Sequence, residues 1–348
     1  MSMISESQIL DMVQRARPRA QPVGITPLTG SSTAVAYRID LDSGETLALK
    51  TYAAEPRWRP AKERLVMDWI AGKALPVPVQ ACLLLDDDRT DFSSSAALLT
   101  WLPGAPLKDF RGDPSLPQAY RQTGALLRQV HGIAMPHYGH VFANGVDEPH
   151  PDNESYMAAT FDNAFRRYRN RDGDPDLGRR IERAVCERRA LMAESGGAVL
   201  CHDDIHPGNL IGDRDAQGTI HLTGLIDWGN ARCADPLFDL AKALFCCTHD
   251  DPVSPVPIRE GYGPIDHSDP DGALWLYTLH HRVSMWAFLP DGNPGRAGLI
   301  ADLHAMLGEA AARAGTAKSR VYPHRKSPVE NALQCVSSPL IGSPPWGL

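Results

Sequence analysis

The chain is 348 residues long, enough for one large domain or two lobes with a sizeable buried core. Its composition, 22% charged and 7% aromatic, is that of an ordinary globular protein and names no chemistry by itself. A formal net charge of -7 excludes the basic excess of a general nucleic-acid binder and is compatible with a cationic ligand.

Taken in chain order, residues 1–22 read as a helix around Ile9, Leu10, Met12 and Val13, followed by a polar linker. The small-residue loop Leu28–Thr33 comes next. A hairpin is predicted from Ala34–Ile39, the turn Asp42-Ser43-Gly44 and Thr46–Tyr52, with Lys50 in its second strand. A helix over 60–71 starts with Pro60 and stops at Gly72. Its spacing puts Glu63 on one face with Val66 and Ile70, so this carboxylate is expected to point inward. Apolar strands follow at 77–85 and 96–102, the first closed by the turn Asp86-Asp87-Asp88 and the second by Pro103-Gly104.

Beyond that point the pattern is mainly helical, with periodic runs at 118–131, 156–169, 177–193, 238–247, 274–288 and 299–314. Segment 249–272 is rich in Asp, Pro and Gly and reads as a long loop. From Gly315 the helical pattern is lost and a flexible, basic tail is expected. Cys82, Cys186, Cys201, Cys233, Cys246, Cys247 and Cys335 form no C-x-x-C pair and are odd in number, which suggests free thiols in a reducing compartment. No secretory leader and no apolar run of membrane-spanning length is recognised, so a soluble cytoplasmic protein without a membrane or nucleic-acid partner is expected. The sequence carries no signal for oligomeric state.

The chemistry is concentrated in one stretch. The apolar run Ala198–Cys201 leads into His202-Asp203-Asp204-Ile205-His206-Pro207-Gly208-Asn209. A second strand, marked by Ile220, Leu222 and Ile226, then presents Asp227 at its end. Two carboxylates and a carboxamide on loops at strand ends suit phosphoryl transfer, which needs positioning and charge neutralisation more than covalent help. His202, Asp204 and Asn209 match H-x-D-x-x-x-x-N, and Asp227-Trp228-Gly229 stands where protein kinases carry D-F-G. Lys50 and Glu63 precede them in the order of the kinase ion pair.

These motifs, with Asp235-Pro236-Leu237-Phe238-Asp239-Leu240-Ala241 downstream, resemble the aminoglycoside phosphotransferase family, protein-kinase-like small-molecule kinases related to choline kinases. The resemblance covers about residues 25–310. It implies an α+β, bilobal protein-kinase-like fold, with a β-rich N-lobe over 1–102, a mainly helical C-lobe over 103–314 and a tail over 315–348. By position, Asp204 would orient the acceptor hydroxyl and accept its proton, and Asn209 and Asp227 would hold Mg²⁺. Lys50 would contact the phosphates of ATP or GTP with Glu63 behind it. Ser31 and Ser32 would lie in the loop covering the phosphates, and Thr100 and Leu102 in the hinge at the adenine. Asp239 would brace the catalytic loop, and His202 would support it. The family usually has Gly where Asp203 stands.

From Gly229 the chain reaches Asp235-Pro236 almost at once, leaving no room for a peptide-docking activation loop, so a small hydroxyl acceptor is expected. Acidic groups at Asp147, Glu148, Asp152, Glu154, Asp250, Asp251, Asp266, Asp269 and Asp271 read either as a cradle for a polycationic aminoglycoside or as solvated turns. Homoserine, choline, a sugar or a macrolide are alternative acceptors, and a nucleotide-binding pseudokinase is the non-enzymatic alternative. His202-Asp203-Asp204-Ile205-His206 imitates H-E-x-x-H, but that zinc motif needs a continuous helix, which Pro207-Gly208 oppose.

Overall fold

The computed structural model describes residues 5–28, 34–52, 58–86 and 95–318. Two compact units emerge, one of residues 1–150 with 197–265 and one of 151–196 with 266–348. The expected lobe boundary at 102/103 lies inside the first unit, which also carries the catalytic motifs.

The first unit opens with α1 (Glu6–Ala16), capped by the reciprocal bonds of Ser5 and Gln8. Then come β1 (Pro22–Leu28), β2 (Ala34–Leu41) and β3 (Thr46–Tyr52). Helix α2 (Arg59–Ile70) follows, then β4 (Cys82–Asp86) and β5 (Ala96–Thr100). The strands form one antiparallel sheet in the order β1-β2-β3-β5-β4. Ile39, Leu41, Leu47 and Leu49 on one face of this sheet form a core with Ile9, Met12 and Val13, the i, i+3, i+4 stripe of α1. Strand periodicity sends Lys50 and Tyr52 to the opposite face, where both meet Glu63 of α2.

The hairpin and α2 lie within a few residues of the expected positions. Residues 77–79 do not form the expected strand. Pro78 cannot donate to a ladder, and pairing with β5 begins only at Cys82. Strand β1 falls at 22–28, where no element is expected.

Next come the short β6 (Ala105–Pro106), α3 (Leu116–Val130), β7 (Tyr138–Phe142) and β8 (Gly145–His150). The second unit contributes α4 (Asn153–Asn170) and α5 (Pro175–Glu187) before the chain returns to the first. There β9 (Val199–Cys201), β10 (Leu210–Arg214), β11 (Ile220–Leu225) and β12 (Arg232–Ala234) frame the polar loops. Strands β11-β10-β6 form one small sheet and β8-β7-β12-β9 another.

Helices α6 (Pro236–Asp250) and α7 (Pro255–Tyr262) complete the first unit. Helix α7 falls where a long loop is expected. It packs so closely on α3 that a Cβ on Gly124 would lie 2.0 Å from the Ile258 carbonyl. In the second unit α8 (Pro270–Phe288) packs against α4 and against α9 (Gly295–Lys318). Residues 319–348, most of the expected tail, lie outside the described residues. No described helix is long and apolar enough to cross a membrane.

Candidate active site

Antiparallel pairing of β10 with β11 places Asn209, just before the first strand, beside Asp227, just after the second. Leu210 pairs with Leu225, and the Ile226 amide donates to the Asn209 carbonyl at 3.0 Å. The loop from 202 to 209 is not helical, so His202 and His206 do not share a helix face and the zinc motif has no basis. Asn209 Nδ2 donates to the Asp204 carbonyl at 2.9 Å, and the Asp204 amide donates to His202 Nδ1 at 3.2 Å. His206 Nδ1 accepts from the Gly208 amide at 3.1 Å, a local turn bond.

Asp239, fully buried in α6, holds this loop from beneath. Its Oδ2 accepts from the His202 amide at 2.7 Å and its Oδ1 from the Asp203 amide at 2.8 Å. His131 Nε2 also donates to it, at 3.1 Å. Among the described residues, His131, Cys201 and Asp239 are the one group spaced to hold a metal ion. Both oxygens of Asp239 are taken by hydrogen bonds, so this cluster is a brace.

Lys50 Nζ lies 2.6 Å from Glu63 Oε1 and 3.0 Å from Asp227 Oδ1. The Tyr52 hydroxyl donates to the other oxygen of Glu63. Burial works against the Lys50 ammonium, but Glu63 and Asp227 outweigh it and raise its pKa. Burial raises Glu63. Burial would also raise Asp227, yet Lys50 prevails, with Arg59 adding to it, and the carboxyl is held below the usual range. Asp227 has left-handed backbone, φ 66, and its Oδ1 accepts from the Gly229 amide at 3.4 Å. The two residues expected to hold Mg²⁺ offer a carboxylate and a carboxamide. Among the described residues no hydrogen bond occupies Asn209 Oδ1. Such an all-oxygen donor set fits a hard cation.

At the expected hinge, Thr100 is committed to the preceding chain. Its amide donates to the Ala81 carbonyl at 3.0 Å, its carbonyl accepts from Gln80 Nε2 at 3.2 Å and its hydroxyl accepts from the Ala81 amide at 2.9 Å. Among the described residues, neither backbone polar group of Leu102 has a partner. Its side chain packs on Gly224 of β11. Ser31 and Ser32 lie outside the described residues.

Several side chains at the site have no role assigned from the sequence. Tyr52 stands two residues from Lys50 on the same strand face, so strand periodicity could have found it. Asn230 Nδ2 donates to Asp204 Oδ2 at 2.9 Å. Arg232 is ion-paired with Asp203, whose φ of 56 is the left-handed conformation that explains glycine as the usual residue there.

The acidic groups read as a possible cradle do structural work in part. Asp152 caps α4 through the Ser155 amide, and Asp269 caps α8 through the Gly272 amide. Asp251 accepts from the Tyr120 hydroxyl at 3.0 Å. Glu154 pairs with Arg189 at 2.6 Å.

A family model described as a phosphotransferase enzyme family, APH, matches residues 24–276. The chain belongs to that family. APH membership makes it a small-molecule phosphotransferase with hydroxyl acceptors. Solved structures bear out the kinase-like mixed α/β fold. One is a thermostable mutant of aminoglycoside phosphotransferase APH(4)-Ia in complex with AMP-PNP and hygromycin B. It has 17% identity and a TM-score of 0.63, over 87% of this chain and 99% of that one. A putative fructosamine-3-kinase from Thermobifida fusca YX-ER1 has 20% identity and a TM-score of 0.66, again over 87% and 99%. ADP-bound aminoglycoside phosphotransferase APH(2'')-Ib has 14% identity and a TM-score of 0.58, over 87% and 97%. No curated protein matches the chain.

Proposed function

We propose that this APH-family chain uses Mg²⁺-ATP to phosphorylate a hydroxyl of an aminoglycoside-like small molecule. The observation that carries the reading is the assembled set of Lys50, Glu63 and Asp227, bonded at 2.6 and 3.0 Å, beside an Asp204 tied to Asn209. Lys50, held cationic by its two carboxylates, binds the donor phosphates. Asn209 and Asp227 are the residues that would hold Mg²⁺, which supplies neutralisation of charge on the phosphates. Asp204 takes the hydroxyl proton as the oxygen attacks phosphorus, and ADP leaves. Leu102, with both backbone groups open, is the better adenine contact of the two hinge residues.

ATP is supported as the donor by the AMP-PNP and ADP complexes, and the GDP complex of a similar phosphotransferase keeps GTP as the alternative. An aminoglycoside-like acceptor is supported by the hygromycin B complex, and among the described residues no side-chain hydrogen bond or ion pair engages Asp147, Glu148 or Asp250. A fructosamine-type acceptor is the second reading, because the putative fructosamine kinase has the higher TM-score of these structures. The site assembly makes a pseudokinase the weaker case.

A coupled ADP-release screen with Mg²⁺-ATP and Mg²⁺-GTP across aminoglycosides, ketosamines, other antibiotics and small metabolites tests the proposal. ADP release that depends on one acceptor class supports it and names the acceptor. Nucleotide binding without turnover on any acceptor sinks it in favour of the pseudokinase.

A further inference from the structure

The backbone pairing of β9 with β12 ends at Cys201 opposite Arg232. Beyond that pair, two side-chain bridges continue the connection between the catalytic loop and the segment after Asp227. Arg232 reaches Asp203, and Asn230 reaches Asp204. Alternate residues of one segment thus clamp two consecutive residues of the other. The Arg232 bridge is one that the usual glycine could not make, since Asp203 stands at its position.

We propose that Asn230 is a positioning residue for Asp204, held in register by the Asp203–Arg232 pair. This rests on the reading of Asp204 as the group that receives the acceptor proton. The Asp204 main chain is fixed on both sides, its amide by His202 and its carbonyl by Asn209. Those bonds leave the side-chain torsions free. Among the described residues, Asn230 is the hydrogen-bond partner of the carboxylate itself, and it takes Oδ2 at 2.9 Å. Oδ1 is then the oxygen left for the acceptor hydroxyl. An amide suits this task because it donates to a carboxylate and cannot itself supply or remove a proton at working pH. A cation in its place would stabilise the carboxylate far more and weaken it as a proton acceptor.

The second bridge keeps Asn230 at that distance. The Asp203 side chain is 4% exposed and that of Arg232 16%, so the pair is largely shielded from water and poorly screened. Asp203 accepts the left-handed backbone that glycine would adopt without strain, and in exchange supplies the carboxylate that anchors Arg232. Asn230 itself is exposed, so its replacement leaves the core intact.

Steady-state rates of ADP release, with Mg²⁺-ADP affinity measured in parallel by calorimetry, test the inference on the full chain. Asn230→Ala should lower kcat about 10- to 100-fold, the range typical for partners that orient a reacting group, with KM for ATP and ADP affinity unchanged. Asn230→Ser retains a donor and should recover part of the loss. Asn230→Asp places a like charge beside Asp204 and should fall below Asn230→Ala. Arg232→Met should lower kcat in the same direction, because it removes the pair that holds Asn230 in register.

Wild-type kcat in Asn230→Ala, or Asn230→Asp equal to or above Asn230→Ala, overturns the positioning role. A wild-type chain that releases no ADP, or an Asp204→Ala variant as active as wild type, overturns the functional reading beneath it instead.

Discussion

His202 Nε2 lies 3.0 Å from the carbonyl oxygen of Ile226. A carbonyl only accepts, so Nε2 carries the proton, and Nδ1 is the atom that accepts from the Asp204 amide. Both bonds belong to the neutral ring, and burial holds the His202 pKa below its ordinary value. The unfolded chain therefore takes up this proton first as pH falls. Stability is fully present above about pH 6.5 and is lost below it, with a slope approaching 1.4 kcal/mol per pH unit. Urea midpoints at pH 7.5, 6.5 and 5.5, compared between wild type and His202→Gln, isolate the effect. Parallel curves for the two would show that His202 is not the group responsible.

Glu63 is 1% exposed and accepts from both Lys50 and Tyr52. Glu63→Gln retains the shape and an acceptor oxygen but weakens the charge-assisted bond that fixes the ammonium. Bonds of that kind are worth about 1.5–3 kcal/mol, so Mg²⁺-ATP affinity should fall roughly 10- to 100-fold. Calorimetric titration reads the loss directly, and unaltered affinity would remove Glu63 from the nucleotide site.

Asp204 and Asp227 should separate cleanly. Asp204→Ala is expected to abolish transfer while Mg²⁺-nucleotide binding persists, since no donor phosphate depends on it. Asp227→Ala removes a proposed metal ligand as well as a partner of Lys50, so binding should fail together with turnover. The two variants behaving alike in nucleotide titrations would merge roles that the proposal keeps apart.

Asp239 serves the fold before it serves the chemistry. Replacing it with Asn exchanges one acceptor oxygen for a donor and confronts the amides of His202 and Asp203 with it. A buried network broken in this way typically costs about 3 kcal/mol, seen as a lower urea midpoint at unchanged m value. Full stability of Asp239→Asn would mean that the loop is held by other contacts.

The parts of this molecule that sequence patterning discloses are those decided locally. Strand alternation and the glycine turn define the β2–β3 hairpin, and helical spacing turns Glu63 inward together with Val66 and Ile70, all three of which are buried. Non-local pairing defeats such reading. Strands β7 and β8 contain Gly139 and Pro149 and little alternation, and β12 is three residues long. β7 and β8 form a local hairpin, and β12 exists because it pairs with β7 and β9 across long sequence separations. Helix α7 did leave a signal, Ser254 followed by Pro255, which the Asp- and Gly-rich surroundings concealed. Among the acidic residues, Asp152 and Asp269 stand where N-caps belong, so capping chemistry predicts their positions better than a ligand does. Asn230 directly follows Asp227-Trp228-Gly229, but only the meeting of two loops brings it to Asp204.

The brevity of the stretch from Gly229 to Asp235 bears on control. Asp235 already caps α6 through the Leu237 amide, and β12 is paired on both sides, so the intervening chain is spoken for. A kinase that must be switched on keeps a long free segment there, ready to receive a modifying group. This chain has spent that length on structure. A modification that worked through this stretch would have to break the pairing of β12 or uncap α6.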